Sequence, residues 1–440
     1  MSSPLFDPVF GSTAASAALT DTAWIRAILD VEVALAYACA AAGLIPAGDA
    51  AEIERAATDL NVDATALGRG AKAGGNPVIP LVDLLRREAA APARSVHHGA
   101  TSQDIMDTAL MLLIRRAGRV VLADARRCVD AAADLARRHR GTLMVARTLG
   151  QQAVPTTFGA VAAGWAVSVH DAATALSDAL GAAPVQMGGA AGTLAPLHPH
   201  GRAVAALLAE RLELREPPMP WHTDRVPLAR IATAFGILAG ACSGPALTVT
   251  LLSATEVGEV TEDAPGGSSA MPHKRNPVAA ITARAAASRV AGPVSTILST
   301  MSHDHQRASG TWHAEWQTIA EIVRGTGGAT ARLAECLSGL QVHADVMRRN
   351  LDITGGAILA ERVTAALADH TDDARAIVTA ACASGRRLDE EPRILDHLSS
   401  DTVRTLTDPA RYIGHASDHV DAALAHIAGA TDANSTERNS

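Results

Sequence analysis

Between Arg230 and Glu256 the chain carries no charged residue, and this stretch limits what it can fold into. Ile231 to Thr255 is long enough to cross a bilayer. It also contains Thr233, Ser243, Thr248, Thr250 and Ser253 and the pair Gly244-Pro245, and it follows Arg230 directly. Those features predict a helix buried on all sides inside a bundle of other helices. Composition agrees: 48% of residues are hydrophobic, 19% charged and only 2% aromatic. Alanine-rich chains of this kind suit close-packed helices better than sandwiches or barrels, whose strands favour aromatic and β-branched residues.

At 440 residues the chain exceeds what one compact core can organise. The first clear helix follows the capping candidates Thr20 and Asp21 and stops at Gly43 and Pro46. Residues 47–95 read as shorter helices broken by the glycine-rich stretch Gly68 to Gly75. Long helices are expected over Asp104–Arg140, Thr156–Leu180, Pro227–Val260, Pro277–Thr300 and Trp316–Gln341. Residues from about 348 return to shorter helices, and Ala430–Ser440 reads as a frayed polar tail.

Several function classes are disfavoured. A net charge of −8 without a basic, aromatic-interleaved tract argues against nucleic-acid binding. The five cysteines are scattered and form no CxxC pair, so neither a zinc site nor a disulfide framework is expected and a reducing cytoplasm fits. Met1 to Asp7 lacks the basic region and apolar core of a signal peptide. His198-Pro199-His200 and His303-Asp304-His305 read as solvated loop histidines, so no metal is expected. No phosphate loop or dinucleotide fingerprint is present.

The segment 263–277 is the most informative. It opens with Asp263-Ala264-Pro265-Gly266-Gly267, hinge-like in composition, and closes with Asn276-Pro277. Proline favours the first helical position, so Asn276 is expected at a helix N-terminus with free backbone donors facing outward. With the charge of Lys274 this makes a carboxylate site beside Ser268 and Ser269; a flexible surface loop fits the same residues.

The run Gly267-Ser268-Ser269-Ala270-Met271-Pro272-His273-Lys274-Arg275-Asn276-Pro277 is similar to the signature loop of the fumarase/aspartase superfamily. The resemblance implies that Ser268 removes a proton from the carbon next to a carboxylate, and that Lys274 and Asn276 bind substrate. A second stretch, His97-His98-Gly99-Ala100-Thr101-Ser102-Gln103-Asp104, resembles the superfamily's H-x-G-x-T-S-x-D segment. It makes Thr101 and Ser102 hydroxyl donors to a substrate carboxylate and His97 a catalytic candidate for proton transfer or orientation. A third, Arg147 to Pro155, resembles R-T-H-x-Q-x-A-x-P and makes Thr148 and Gln151 substrate contacts. His305-Gln306-Arg307 resembles a segment whose arginine meets substrate, which adds Arg307.

One position departs from the pattern. Leu149 stands where most members carry the histidine that assists the leaving group. Amines and hydroxide leave only with a general acid, because they are strongly basic. A carboxylate, with a reference pKa near 4, needs none. Leu149 therefore points to a leaving group that is already a stable anion. Met187–Leu194, Pro220–Thr223, Trp312–Trp316, Gly75–Pro77 and Asn350–Thr354 resemble the cycloisomerase branch in particular.

The resemblance runs from Phe6 to about residue 365. It implies an all-α fold in three parts: an N-terminal helical domain (1–95), a central long-helix bundle carrying the signature loop (96–347) and a C-terminal helical domain (348–440). It implies homotetramers whose active sites combine loops of three subunits, a small polycarboxylate substrate and no cofactor. The expected reaction is lactonisation of 3-carboxy-cis,cis-muconate. The alternatives are elimination of another stable anion, such as nitrite from nitrosuccinate, and an inactive structural relative comparable to lens crystallins.

Overall fold

The computed structural model describes residues 5–10, 13–267 and 270–437. Helices dominate, and among the described residues the strands form two small antiparallel pairs: Leu143–Thr148 with Gln151–Thr157, and Val260–Glu262 with Leu340–Val342. The all-α expectation holds. Five long helical stretches read from sequence correspond to helices Ser102–Arg138, Phe158–Gly181, Val226–Leu252, Thr311–Ser338 and a broken pair, Val278–Ser288 and Ala291–Ser299. The break precedes Gly292-Pro293, where proline has no N–H to continue the ladder and its ring crowds the preceding turn.

Local signals explain the ends. Thr20 caps the Asp21–Ala41 helix by accepting from the Ala23 N–H, and Asp63 caps Ala64–Gly74 by accepting from Thr65 and Ala66. The expected break at Gly68 does not occur. The helix runs through Gly68 and Gly70 and stops at Gly75, whose φ of +72° is the left-handed conformation that ends helices.

The chain divides into two compact units. One comprises Met1–Ala125, Ala172–Ser243 and Thr282–Arg332; the other comprises Arg126–Asp171, Gly244–Ile281 and Leu333–Ser440. In the first, every residue from Gln103 to Ile114 is buried, so the start of a long helix is sunk in the core. In the second, Val363, Leu367, Val378, Leu388, Ile394 and Val403 belong to a separate apolar cluster under the short C-terminal helices.

Val226–Leu252 is long and apolar enough to span a membrane, yet it is not buried on all sides as expected. Val226, Arg230, Ile237, Gly240, Gly244 and Leu251 remain exposed at helical spacing, a stripe of mostly apolar and small residues along one face. All five cysteines are free, four of them buried.

Candidate active site

The loop at 97–104 is held by one carboxylate. Asp104 Oδ2 accepts from the N–H of Thr101 at 3.0 Å and of Gly189 at 2.9 Å; Oδ1 accepts from the Gly188 N–H at 2.9 Å and lies 2.7 Å from His222 Nε2. All four lone-pair directions of a fully buried carboxylate are thus used, so its burial leaves no acceptor position unpaired. Gly99, with φ +69°, packs so closely on Leu197 that a Cβ there would sit 2.4 Å from its Cδ2. Arg307 closes the arrangement by donating to Gln103 Oε1 at 2.9 Å and to the Ala190 carbonyl at 2.7 Å. Of the residues expected from sequence, this network holds Thr101 and Arg307 within one unit; Ser102 follows Thr101 in the chain, and both are half-buried. His97 sits at the start of the same loop with φ +61°, its Nδ1 2.6 Å from Glu32 Oε1. Burial depresses the imidazole pKa, but the charge and hydrogen bond of Glu32 outweigh that and raise it above its ordinary value.

Below this loop lies a buried ion network. The Arg225 guanidinium donates to both oxygens of Asp107 at 2.9 and 3.1 Å and to both of Glu315 at 2.7 and 3.0 Å. Trp312 Nε1 donates to Asp107 Oδ1 at 3.0 Å. One cation between two carboxylates leaves an excess negative charge, and burial pushes Glu315 up to about 7 against the opposing pull of Arg225. His303 lies beside this network: its side chain is fully buried, with Nε2 3.4 Å from Glu315 Oε1. That corrects the solvated reading of His303, because the loop folds inward at this residue while His305, at φ +51°, stays exposed. Burial and the Arg225 charge lower the His303 pKa below its ordinary value. His198 and His200 are exposed, as expected.

The segment 147–155 is a β-hairpin rather than a loop. Thr148 pairs with Gln151 across a two-residue turn in which Leu149 (φ +53°) and Gly150 (φ +79°) are both left-handed. That signature is a primed turn, where asparagine and glycine are the favoured residues. The hairpin is anchored below its tip. Arg147 makes a two-pronged ion pair with buried Glu259 at 2.6 and 3.0 Å, Asn350 Nδ2 donates to the same carboxylate at 2.7 Å, and Gln152 Nε2 donates to the Asn350 carbonyl at 3.0 Å. The tip is bare: Thr148, Leu149, Gly150 and Gln151 are all exposed, Leu149 at 103%.

In the third segment Gly266 and Asn276 exchange both backbone hydrogen bonds at 2.9 Å, closing the base of the signature loop. The Asn276 side chain donates to the Gly267 carbonyl at 3.2 Å, and Lys274 is exposed. Ser268 and Ser269 lie outside the described residues. The expectation of free donors at the following helix is corrected: buried Glu262 accepts from the Ala279 and Ala280 N–H groups at 3.1 and 2.8 Å, and Asn276 O accepts from Val278. The helix terminus is therefore capped from within, and the available positive charge in this segment comes from side chains.

Sequence reasoning passed over Glu32, Asp107, Arg225, Glu259, Glu262 and Glu315. The signal was available for some of them, since Glu32 is the lone charge in the run Val31 to Ala42 and Asp107 stands between the apolar pairs Ile105-Met106 and Ala109-Leu110 with only Thr108 beside it. Among the described residues one group has metal-ligand character: His170, Asp171 and His426 hold their ligand atoms within 4.8 Å of one another at the surface.

Comparisons with known proteins bear on the family and the fold. A family model described as Lyase matches residues 6–292. Nitrosuccinate lyase from Streptomyces davaonensis is 42% identical over 96% of this chain and 94% of its own length. A 3-carboxy-cis,cis-muconate cycloisomerase from Bradyrhizobium diazoefficiens is also 42% identical, over 96% of this chain and 98% of its own. The crystal structure of 3-carboxy-cis,cis-muconate lactonizing enzyme from Pseudomonas putida superposes with a TM-score of 0.92 at 38% identity, covering 98% of this chain and all of that one. The chain is an enzyme of the fumarase/aspartase superfamily of lyases.

Proposed function

We propose that this enzyme moves a proton at the carbon next to a carboxylate while a stable anion adds or departs, and that its reaction is lactonisation of 3-carboxy-cis,cis-muconate. Leu149 carries the reading. An apolar side chain at the hairpin tip, where the superfamily pattern has histidine, can neither donate nor accept a proton. Such a site suits an internal carboxylate, which attacks one alkene carbon in the lactonising direction and leaves unassisted in reverse.

In this reading Ser268 returns the proton to the adjacent carbon during lactonisation and removes it in reverse. The charge that builds on the neighbouring carboxylate is met by Lys274, Asn276 and the Thr101 and Ser102 hydroxyls. Thr148, Gln151 and Arg307 bind the remaining polar groups of the substrate. Serine is a weak base in water, so the reaction requires the signature loop to close and exclude solvent.

The proposal extends to assembly as a cytoplasmic homotetramer whose active sites combine loops from different copies, with each chain organised in three helical parts. Support comes from the exposed stripe along Val226–Leu252 and from the bare hairpin tip, both of which a partner copy would cover. A muconate substrate would place the enzyme in aromatic catabolism.

A second reading is elimination of nitrite from nitrosuccinate, favoured by the 42% identity to the Streptomyces nitrosuccinate lyase. Ultraviolet assays of the purified protein separate the possibilities. Loss of muconate absorbance supports the first reading, and nitrite with a fumarate-like product supports the second. Efficient loss of ammonia or water from aspartate or malate overturns both, and silence on every substrate leaves an inactive relative.

A further inference from the structure

Glu32 is an unusual neighbour for the residues around it. It lies on the buried face of the Asp21–Ala41 helix with Ile28, Leu29, Val31 and Leu35, and its side chain is 1% exposed. Burying a carboxylate is heavily unfavourable unless it is paired and hydrogen-bonded. Yet Oε2 has no hydrogen-bond partner, and Oε1 has one, His97 Nδ1 at 2.6 Å. A core position that only needed filling would carry leucine or alanine, like its neighbours.

His97 is constrained from the other side. Its backbone is left-handed at φ +61°, a conformation that non-glycine residues hold at a cost and that concentrates at functional sites. The ring is 16% exposed, and among the described residues no group hydrogen-bonds its Nε2. The charged groups acting on the imidazole are Glu32 from the Asp21–Ala41 helix, Arg86 from Val78–Ala89, and Asp104 from Ser102–Arg138, and the Cys39 thiol lies near Glu32 on the first of these helices. Two carboxylates against one guanidinium favour the cationic ring, and Arg86 is partly engaged elsewhere, donating to the Val96 carbonyl at 3.3 Å.

We propose that Glu32 is a positioning residue for His97, holding the ring through Nδ1–H so that Nε2–H points at the substrate carboxylate bound by Thr101 and Ser102. The imidazolium then donates a hydrogen bond to that carboxylate as it gains charge. No bond is made or broken at His97, and the proton stays on Nε2 through the step. A carboxylate orienting one imidazole nitrogen so that the other can act is a general device for fixing a tautomer. The inference rests on the reading that His97 belongs to the active site.

The test combines two readouts. The first needs no substrate: the pH dependence of diethyl pyrocarbonate modification at His97, followed by peptide mass spectrometry, reports the unprotonated Nε2. In the wild-type protein the midpoint is expected above the ordinary histidine value of about 6.5; a midpoint at or below it overturns the proposal without any variant. In Glu32→Gln the midpoint is expected to fall by about one pH unit. The second readout is the pH profile of kcat/KM on whichever substrate the protein turns over. Activity that needs the protonated ring is lost as pH rises through its pKa, so the alkaline limb should move down by the same amount in Glu32→Gln. Glu32→Asp, which keeps the charge, should restore most of the wild-type profile. Full activity in His97→Gln removes the His97 reading and this proposal with it. Loss of activity in His97→Gln, with midpoint and profile unmoved in Glu32→Gln, overturns the pairing alone.

Discussion

The loop at 97–104 and the hairpin tip at 148–151 offer the same chemistry, hydroxyls and an amide, but are held very differently. The first is fixed from below: Asp104 uses both oxygens on backbone and histidine donors, and Arg307 ties Gln103 to the neighbouring Ala190 carbonyl. The second is anchored only at its base by Arg147 and Glu259, and everything beyond that pair is solvent-exposed. Buried polar groups must find partners, so a loop built over them arrives preorganised. An exposed tip with a leucine in a left-handed turn gains nothing comparable from its own chain.

The largest expected effect comes from breaking the support beneath the first loop. Arg225→Ala removes the cation that buried Asp107 and Glu315 share, and losses of about 3–5 kcal/mol are usual for such a break. Urea unfolding should show it, and a loss below about 1 kcal/mol would mean that the network does not hold this region. On the exposed side, Ser268→Ala should fold and assemble normally yet lose at least about a hundredfold in turnover. Near-normal turnover would pass the role to Ser269.

A pH experiment sharpens the contrast further. Glu315 titrates near 7 in the folded chain, above its ordinary carboxylate value, so folding favours its protonated form. That contribution is fully present below about 4.5 and is lost as pH rises through about 7. Glu315→Gln should flatten the fall in stability between those values, and an unchanged slope would place the titrating group elsewhere. The smallest effect belongs to the tip. Leu149→Asn replaces an exposed leucine with a residue suited to a left-handed turn, so Tm should rise by about two degrees or stay level while turnover falls. Leu149→His should leave native activity unchanged or reduced and confer no use of malate, aspartate or argininosuccinate.

Helices were legible because their signals are local. Thr20 was a capping candidate and caps its helix, and the apolar stretch from Ile231 to Thr255 has no good alternative to a long helix. The break before Gly292-Pro293 was written in the residues and was passed over. The three candidate site segments could be located by resemblance, but what fixes each one could not. Glu32 is 65 positions from His97, Arg225 lies 118 from Asp107, and Glu259 lies 112 from Arg147. Such pairs exist only after folding, and periodicity along the chain carries no trace of them. The helix terminus after Pro277 failed for the same reason, because its donors are taken by Glu262, 17 positions earlier than Ala279.

If the preorganised loop and the bare tip complete one site only when copies of the chain come together, activity must be shareable between damaged subunits. Coexpressing Ser268→Ala with the double variant His97→Ala, Thr101→Ala, each inactive alone, gives mixed oligomers in which some sites draw every functional residue from an undamaged segment. The account predicts partial recovery of turnover in the mixed preparation and none when the separately purified variants are combined without subunit exchange. Full activity of the wild-type protein as a strict monomer by light scattering, with no recovery in the mixed preparation, would contradict it.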